Sequence, residues 1–514
     1  MGEAGNLSRR NFIKNGAVAG AGLMGLAALA GCSKASAGQG AAVSWDEETD
    51  VIVVGSGYAG FAAAIAAFEG GAEVRIIDKR DSDGGNSIKA DGDFAVCCSS
   101  PQADQGIKDS VDDYVHDMLV AGLDLNDVEK CRVIAEKSNE TWEWVSGLGV
   151  QWVKNDQGKI DLLPYGGHSN YRTMKPEGAG QAIVGVLRDK ATELGLKVEC
   201  RTLLKELVRD ENGRVLGIVV QKGINETTLT GGKSVAIKAK KAVVLATGGF
   251  SGDVAWRMKH DPKLDESLES TNRFGATSEA LQVAMRSGAL TVHLDWIQLG
   301  PWCSPDDGGF GLAWTYIDAG FPRGVVVARQ TGKRFVSELT DRKRYCDAIV
   351  ANGEPSIQIV DQRNLPTWAL EYLDQCIEVG CTWRIDSIEE IAQKFDIPLE
   401  PLKEEIARYN TFVENKVDED FGKKIPANAL PVAEPPYCVT RVWPKVHHTM
   451  GGVKTDAENR VIDVSLNPIE GLYAAGEVAG GIHGACRLGS CATADCLING
   501  RLAGQNAAAS ESWS

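Results

Sequence analysis

The segment Gly55-Ser56-Gly57-Tyr58-Ala59-Gly60 has the residue types and spacing of a phosphate-binding turn. Its three glycines can do separate jobs. Gly55 permits a tight turn, Gly57 lets backbone N–H groups approach a pyrophosphate, and Gly60 lets a helix pack closely on a strand. One such turn alone is weak, and its setting makes it specific. The β-branched run Asp50–Gly55 precedes it, the alanine-rich stretch from Ala59 to Phe68 predicts the helix after it, and Glu73–Asp78 predicts a second strand. Asp78 closes that strand with Lys79 beside it, where an acid can accept from ribose hydroxyls. This βαβ unit predicts a dinucleotide site without separating FAD from NAD.

Three later segments make the choice: Gly84-Gly85-Asn86-Ser87, Ala246-Thr247-Gly248-Gly249-Phe250, and Gly471-Leu472-Tyr473-Ala474-Ala475-Gly476-Glu477. In type and order they resemble the turns of large two-dinucleotide-binding-type flavoproteins, where separated glycine turns and an acid close around one extended FAD. A nicotinamide dehydrogenase has no need of the C-terminal piece.

The rest of the chain must position these turns. Leu203 to Arg209 and Leu216 to Gln221, joined by Asp210-Glu211-Asn212-Gly213, predict a hairpin, and Val243–Thr247 predicts another buried strand. A chain of 514 residues, 43% of them hydrophobic, can bury more than one core. Its net charge of −16 argues against binding nucleic acid and against electrostatic adhesion to anionic lipid. Thirteen cysteines, with no C-x-x-C pair among them, predict core thiols rather than a disulfide framework, and no metal site is expected. The absence of C-x-x-C-H excludes a c-type haem on this chain.

The N-terminus reads as an address. Ser8-Arg9-Arg10-Asn11-Phe12-Ile13-Lys14 has the form of a twin-arginine export signal, and Leu29-Ala30-Gly31-Cys32 resembles a lipoprotein cleavage site. Residues 1–31 are therefore expected to be a signal peptide and 32–45 a flexible tether. Lipid chains on Cys32 would hold the exported protein at the cell membrane, facing the periplasm or the extracytoplasmic side.

From about Asp46 to Ala509 the chain resembles the fumarate reductase/succinate dehydrogenase flavoprotein family, in particular the soluble branch containing flavocytochrome c and urocanate reductase. The most specific segments are His447-His448-Thr449-Met450-Gly451-Gly452, the stretch Gly476-Glu477 through His483-Gly484-Ala485-Cys486-Arg487-Leu488-Gly489, and Gly332-Lys333-Arg334-Phe335 leading to Glu338-Leu339-Thr340-Asp341-Arg342. The resemblance implies an α/β fold: a Rossmann-like FAD-binding domain of the two-dinucleotide-binding type, in parts 46–295 and 447–514, with an α+β cap inserted at 296–446. It implies FAD held by Gly55, Gly57, Tyr58, Ala59, Gly60, Asp78, Lys79, Gly85, Asn86, Ser87, Thr247, Gly248 and Gly249, completed by His448, Gly476, Glu477 and Ser490. No histidine stands in the Gly84–Ser87 segment to link the flavin, so noncovalent FAD is expected.

The implied reaction is saturation of the C=C bond of an α,β-unsaturated acid, with hydride from the flavin and a proton from Arg342, as an electron sink in respiration without oxygen. Arg487 and His447 resemble the pair that holds the activating carboxylate, and a guanidinium fork suits that task. Asp318 and Arg323 stand as candidates to relay protons to Arg342. The pattern departs where a second carboxylate would be clamped: Gly300 takes the histidine's place in Gln298-Leu299-Gly300-Pro301-Trp302, among Trp296, Trp302, Trp314 and Tyr316. That departure predicts a larger, flatter substrate than fumarate. Electrons are expected from a separate cytochrome or quinol-linked protein. Two other readings stand beside this one: a ketosteroid-type dehydrogenase using a tyrosine as acid or base, and a noncatalytic electron relay.

Overall fold

The structure, a computed structural model, describes residues 44–163 and 165–513. The export motif, the Cys32 site and nearly all of the 32–45 tether lie outside the described residues. Among the described residues, no helix is long and apolar enough to cross a membrane.

The main sheet is built on β1 (Glu47–Val54), whose Val51, Ile52 and Val53 are wholly buried on both faces, as a central parallel strand requires. β2 (Val74–Ile77) lies parallel to it on one side and β3 (Lys233–Leu245) on the other. The hairpin Thr202–Arg209/Val215–Lys222 flanks β3 as expected, and β4 (Pro468–Ala474) runs parallel to β3. The sheet is thus finished by residues more than 400 positions beyond its first strand.

Between β1 and β2, helix α1 (Tyr58–Glu69) crosses one face. It packs on α2 (Cys491–Ala509) backbone against backbone, because both helices present small residues. A Cβ on Gly504 would fall 2.1 Å from the Ala63 carbonyl oxygen. This contact ties the C-terminal segment to the dinucleotide turn.

The cap is a four-stranded antiparallel sheet, Val325–Val327, Ser356–Asp361, Tyr437–Val442 and Trp383–Ile385. Alternate residues feed two separate cores. Val325, Val327, Ile357 and Ile359 pack with Leu402, Ile406 and Phe412, while Val326 and Val360 turn to Tyr316, Ile317 and Ile349 on the other face. The strand pair Ile297–Gly300 and Lys445–Thr449 forms the neck, with Gln298 opposite His448. The segments before and after the cap sheet are thereby hydrogen-bonded to one another.

Candidate active site

A cleft runs along the main sheet past the ends of β1 and β2. The glycine turns from all four regions line it, represented by Gly57, Gly85, Gly248 and Gly476. Its backbone is set by close approaches. A Cβ on Gly60 would lie 2.0 Å from the Gly55 carbonyl oxygen, so only glycine lets α1 start there. Helix α1 has no side-chain cap and no acid in its first turn, and the Gly57 and Ala59 N–H groups have no protein acceptor. That end of the helix is ready for a phosphate.

Asp78 fixes the turn from beneath. Its Oδ2 accepts from the Ser56 N–H at 3.1 Å and the Ser56 hydroxyl at 2.6 Å, and its Oδ1 accepts from the Arg80 N–H at 2.9 Å. Ser87 Oγ accepts from the Tyr58 N–H at 3.0 Å, Asn86 Oδ1 from the Arg273 N–H at 3.1 Å, and Lys79 reaches Glu279 at 2.8 Å. Glu477 Oε1 accepts from the Thr449 N–H at 2.9 Å, which ties the C-terminal turn to the neck, and burial raises its pKa. No side chain fills the space in front of Gly248, where a built Cβ meets nothing within 4 Å. An open helix end, unfilled backbone space and a cleft lined by all four glycine turns fit an FAD, and these residues are the ones that would hold it.

Under the cap, Arg487 and Arg342 approach one another from different domains. Arg487 Nη2 lies 3.4 Å from His447 Nε2, and its Nε is buried without a partner. Because a guanidinium only donates, His447 Nε2 accepts, and Nδ1–H is left to donate to Thr271 Oγ1 at 2.9 Å. Burial, then the charges of Arg487 and Arg342, push the His447 pKa far down, so the ring is neutral. Gln298 Nε2 steadies the Arg487 segment by donating to the Arg487 carbonyl at 3.2 Å and to Cys486 Sγ at 2.9 Å.

Arg342 opens the helix Arg342–Ala351, capped by Asp341, whose side chain accepts from the Arg344 N–H. Its neighbours Lys343 and Arg344 are exposed, whereas Arg342 turns inward, with Nη1 buried and unpartnered. Its Cζ sits 4.4 Å from the centroid of Trp302. Burial, reinforced by Arg487, pulls its pKa down to about 10. Asp318 is its acidic neighbour, itself raised by burial and held back by Arg342. The segment before Arg342 is anchored by an ion-pair network in the cap: Arg334 binds Glu338 at 2.7 Å and Asp418 at 2.9 Å, all three fully buried.

An aromatic wall continues from this pair. The His447 ring has Trp302 at 5.6 Å and Phe310 at 5.9 Å, and Phe310 leads to Trp314 at 5.5 Å. Lys175 Nζ is 5.8 Å from the Trp314 ring. Beyond Lys175 stand Asp91 and Asp93, the latter accepting a hydrogen bond from the Tyr165 hydroxyl. Asp91 also feels the charge of Asp318.

The catalytic candidates Arg342, His447 and Arg487 thus come together, although 145 positions separate the two arginines in the sequence. Of the four aromatics singled out, Trp302 and Trp314 face the cleft. Tyr316 lies in the cap core, donating to the Cys438 carbonyl at 2.6 Å, and Trp296 lines a different cavity, of about 500 Å³, between the neck and the helix of Arg342. A Cβ on Gly300 would lie 3.6 Å from Trp302 and from His447, so the indole stands where a side chain at 300 would point. His448 has its Nδ1 3.6 Å from Glu477 and its Nε2 buried without a partner, and Ser490 exchanges a hydrogen bond with Thr173 at 2.7 Å. Arg323 makes no hydrogen bond to Arg342. Phe310, Tyr165, Lys175, Asp91 and Asp93 were not read from the sequence. The only signal was the proximity of Asp91-Gly92-Asp93 to the Gly85–Ser87 turn, a pattern that reads equally well as a solvated loop.

A model of an FAD-binding domain matches residues 50–493. The acrylate reductase flavoprotein subunit of Shewanella woodyi is 39% identical over 510 residues, covering 97% of each chain. The urocanate reductase of Eggerthella lenta is 34% identical, over 90% of this chain and 75% of its own length. Among solved structures, the open form of a flavocytochrome c3 fumarate reductase superposes with a TM-score of 0.76 at 31% identity, over 90% of this chain and 79% of that one.

Proposed function

Because the chain belongs to the fumarate reductase/succinate dehydrogenase-like family of FAD-dependent oxidoreductases acting on CH–CH and C=C bonds, we propose that it reduces the alkene of a 2-enoate carrying one activating carboxylate. The observation that carries this reading is the pair of cleft arginines, each with an unpartnered buried nitrogen, one braced by a neutral histidine and one beside an acid. Two buried cations with free donors want an anion between them.

FAD held by the glycine turns would, once reduced by two electrons, supply the hydride. Arg487 grips the carboxylate with its fork, and His447 sets the orientation of that fork without adding charge. The two cations draw electron density toward the carboxylate, which makes the β-carbon the electrophilic end. Arg342 delivers the proton to the α-carbon. Its depressed pKa brings a poor acid closer to the range where transfer is productive. Asp318, exposed to solvent beside Arg342, returns a proton to it. Trp302 and its aromatic neighbours take the place of a second carboxylate clamp, so the site suits one carboxylate, as the names of the acrylate and urocanate reductases also suggest.

The cap is proposed as the unit 296–446, and the FAD as noncovalent; acid precipitation should then release the flavin into the supernatant. A separate redox protein, a cytochrome or quinol-linked carrier, supplies electrons. Export by the twin-arginine route and lipidation at Cys32 complete the reading, and Cys32→Ser should move the protein from the membrane to the soluble fraction. The direct test is anaerobic reoxidation of the reduced protein by acrylate, urocanate, cinnamate, fumarate and a steroid enone. Rapid reoxidation by a one-carboxylate enoate is expected; reoxidation only by the steroid, or by nothing, would sink the proposal.

A further inference from the structure

Resting on the reading that a separate redox protein supplies the electrons, we infer that this donor docks on the turn between the helices Val111–Ala121 and Val128–Gly147, and that it is a small cationic protein whose redox centre has an apolar edge ringed by lysines. Val120, Leu123, Leu125 and Val128 stand exposed within nine positions. Among the described residues, no other stretch of that length exposes more than two large hydrophobic side chains. An apolar cluster rimmed by charge marks an interaction surface.

The rim has one sign. From Asp109 to Glu129 the chain carries seven acids and no lysine or arginine. Arg172 takes up Asp109 and Asp117 inside the fold, Asp112 pairs with Arg132, and Asp127 pairs with Lys454. Asp113, Asp124 and Glu129 are left exposed, and they join no ion pair among the described residues. An apolar centre inside an acidic rim complements a cationic protein face and repels anionic lipid, so a positively charged carrier fits it and a membrane surface does not. Electron-transfer encounters use interfaces at the small end of the range, which a patch of this extent can supply.

Position makes the patch a port for electrons. The turn is built directly on the segment that carries Arg487. The Ala485 N–H donates to the Gly122 carbonyl at 2.9 Å, the Asp127 N–H to the Gly481 carbonyl at 2.9 Å, and Asn126 Nδ2 to the Ile482 carbonyl at 3.0 Å. A Cβ on Gly484 would lie 2.3 Å from the Gly122 carbonyl oxygen, so the two backbones touch. On the same segment the His483 ring lies 5.7 Å from that of His448, and the first of the two helices sets the Tyr114 hydroxyl 3.3 Å from Cys491 Sγ, next to Ser490. His448 and Ser490 are residues expected to hold the flavin. A donor seated on Leu123 is therefore joined to that site through Gly122 and Ala485, with one hydrogen bond from chain to chain. Electron tunnelling falls steeply with distance, which favours a surface built this close to the cofactor.

The test uses the FAD-loaded protein with mitochondrial cytochrome c, a lysine-ringed haem protein. Binding of the ferric form is measured by calorimetry at low and high salt. Electron transfer is measured by anaerobic mixing of the photoreduced flavoprotein with the ferric form, followed at the haem band. Each reduced flavin gives its two electrons singly to two ferric haems and releases two protons. Binding and transfer are expected, and both should weaken steeply with salt. Asp124→Asn/Glu129→Gln should lower both by about fivefold or more, whereas Glu378→Gln/Glu414→Gln, the same change in net charge on exposed positions of the cap, should lower them by less than about twofold. Leu123→Asn, which suits the left-handed backbone there at φ +54°, should lower both several-fold without altering the salt dependence. Reoxidation of the reduced flavin by acrylate uses the cap cleft alone and should be the same in every variant. Equal losses in the two charge pairs, or no loss in the first, would overturn the inference. So would a dimer of the parent that Leu123→Asn dissolves, which would give the patch to a second copy of the chain. Failure of acrylate and every other enoate to reoxidise the flavin would sink the reductase reading and leave the docking result standing.

Discussion

The two clefts of this molecule are built from different materials. The FAD cleft is made of backbone: turns at Gly55–Gly60, Gly85–Ser87, Gly248 and Gly476, the first of them fixed by contacts of main chain on main chain at Gly55 and Gly60. The cap cleft is made of side chains, two arginines, three aromatics and a group of acids, drawn from segments that share no local pattern. At Gly55 and Gly60 backbone construction tolerates almost no change, because an added Cβ has nowhere to go. Side-chain construction tolerates exchange, and this is where members of one family can differ in substrate while holding the same cofactor.

The sharpest break in that comparison is Gly60→Val. The new side chain would collide with the Gly55 carbonyl, and neither partner can rotate away. Purified protein is expected to carry essentially no flavin, read as the ratio of absorbance at 450 nm to 280 nm. A flavin-replete Gly60→Val would show that the turn is not the pivot described here. Arg342→Ala should act in the opposite sense: flavin content unchanged, and enoate reduction lower by about 10³-fold, within the range for loss of a general acid. Loss of flavin in that variant would mean that the two clefts are not separable.

A gentler change probes the join between the clefts. Gln298 in the neck supports Arg487 through a single carbonyl hydrogen bond, and its other contact is to a thiol. Gln298→Ala is expected to raise KM for the enoate by about three- to tenfold, the worth of one hydrogen bond, with a smaller effect on kcat. An equal fall in kcat with KM unchanged would place Gln298 in the transition state instead.

The same contrast explains what could be read from the sequence. Glycine at a tight turn leaves a trace in the residue type itself, so the β1–α1–β2 unit and the turns at Gly248 and Gly476 were legible before any coordinates. The arginines were legible only because they lie inside distinctive segments. Arg342 sits in the run Asp341–Arg344, and the inward turn of one of three consecutive cations depends on the placement of Trp302 and Asp318, which no local pattern encodes. Trp302, Trp314, Trp296 and Tyr316 read alike as aromatic residues, yet they divide among the cleft, another cavity and the cap core. Helix phase and the neck register decide that division. Asp91, Asp93 and Tyr165 acquire their roles through contacts with residues about 70 to more than 200 positions away, so composition and spacing carry no sign of them.

The smallest expected effect is one of stability. The Asp91 carboxyl keeps its proton up to about pH 6 in the folded chain, whereas in an unfolded chain it releases it near 4. Between those values the folded state binds the extra proton, so the residue's contribution to stability falls as pH rises through this window and stays low above it. Asp91→Asn removes that ionisation. At pH 7 the variant should be more stable than the parent by on the order of 1–2 kcal/mol, allowing for the partial exposure of the group, which is a rise of about 1–3 °C in Tm for a protein of this size. At pH 4 the two should melt together. A variant that is less stable at pH 7 would show that Asp91 is held by a partner within the protein.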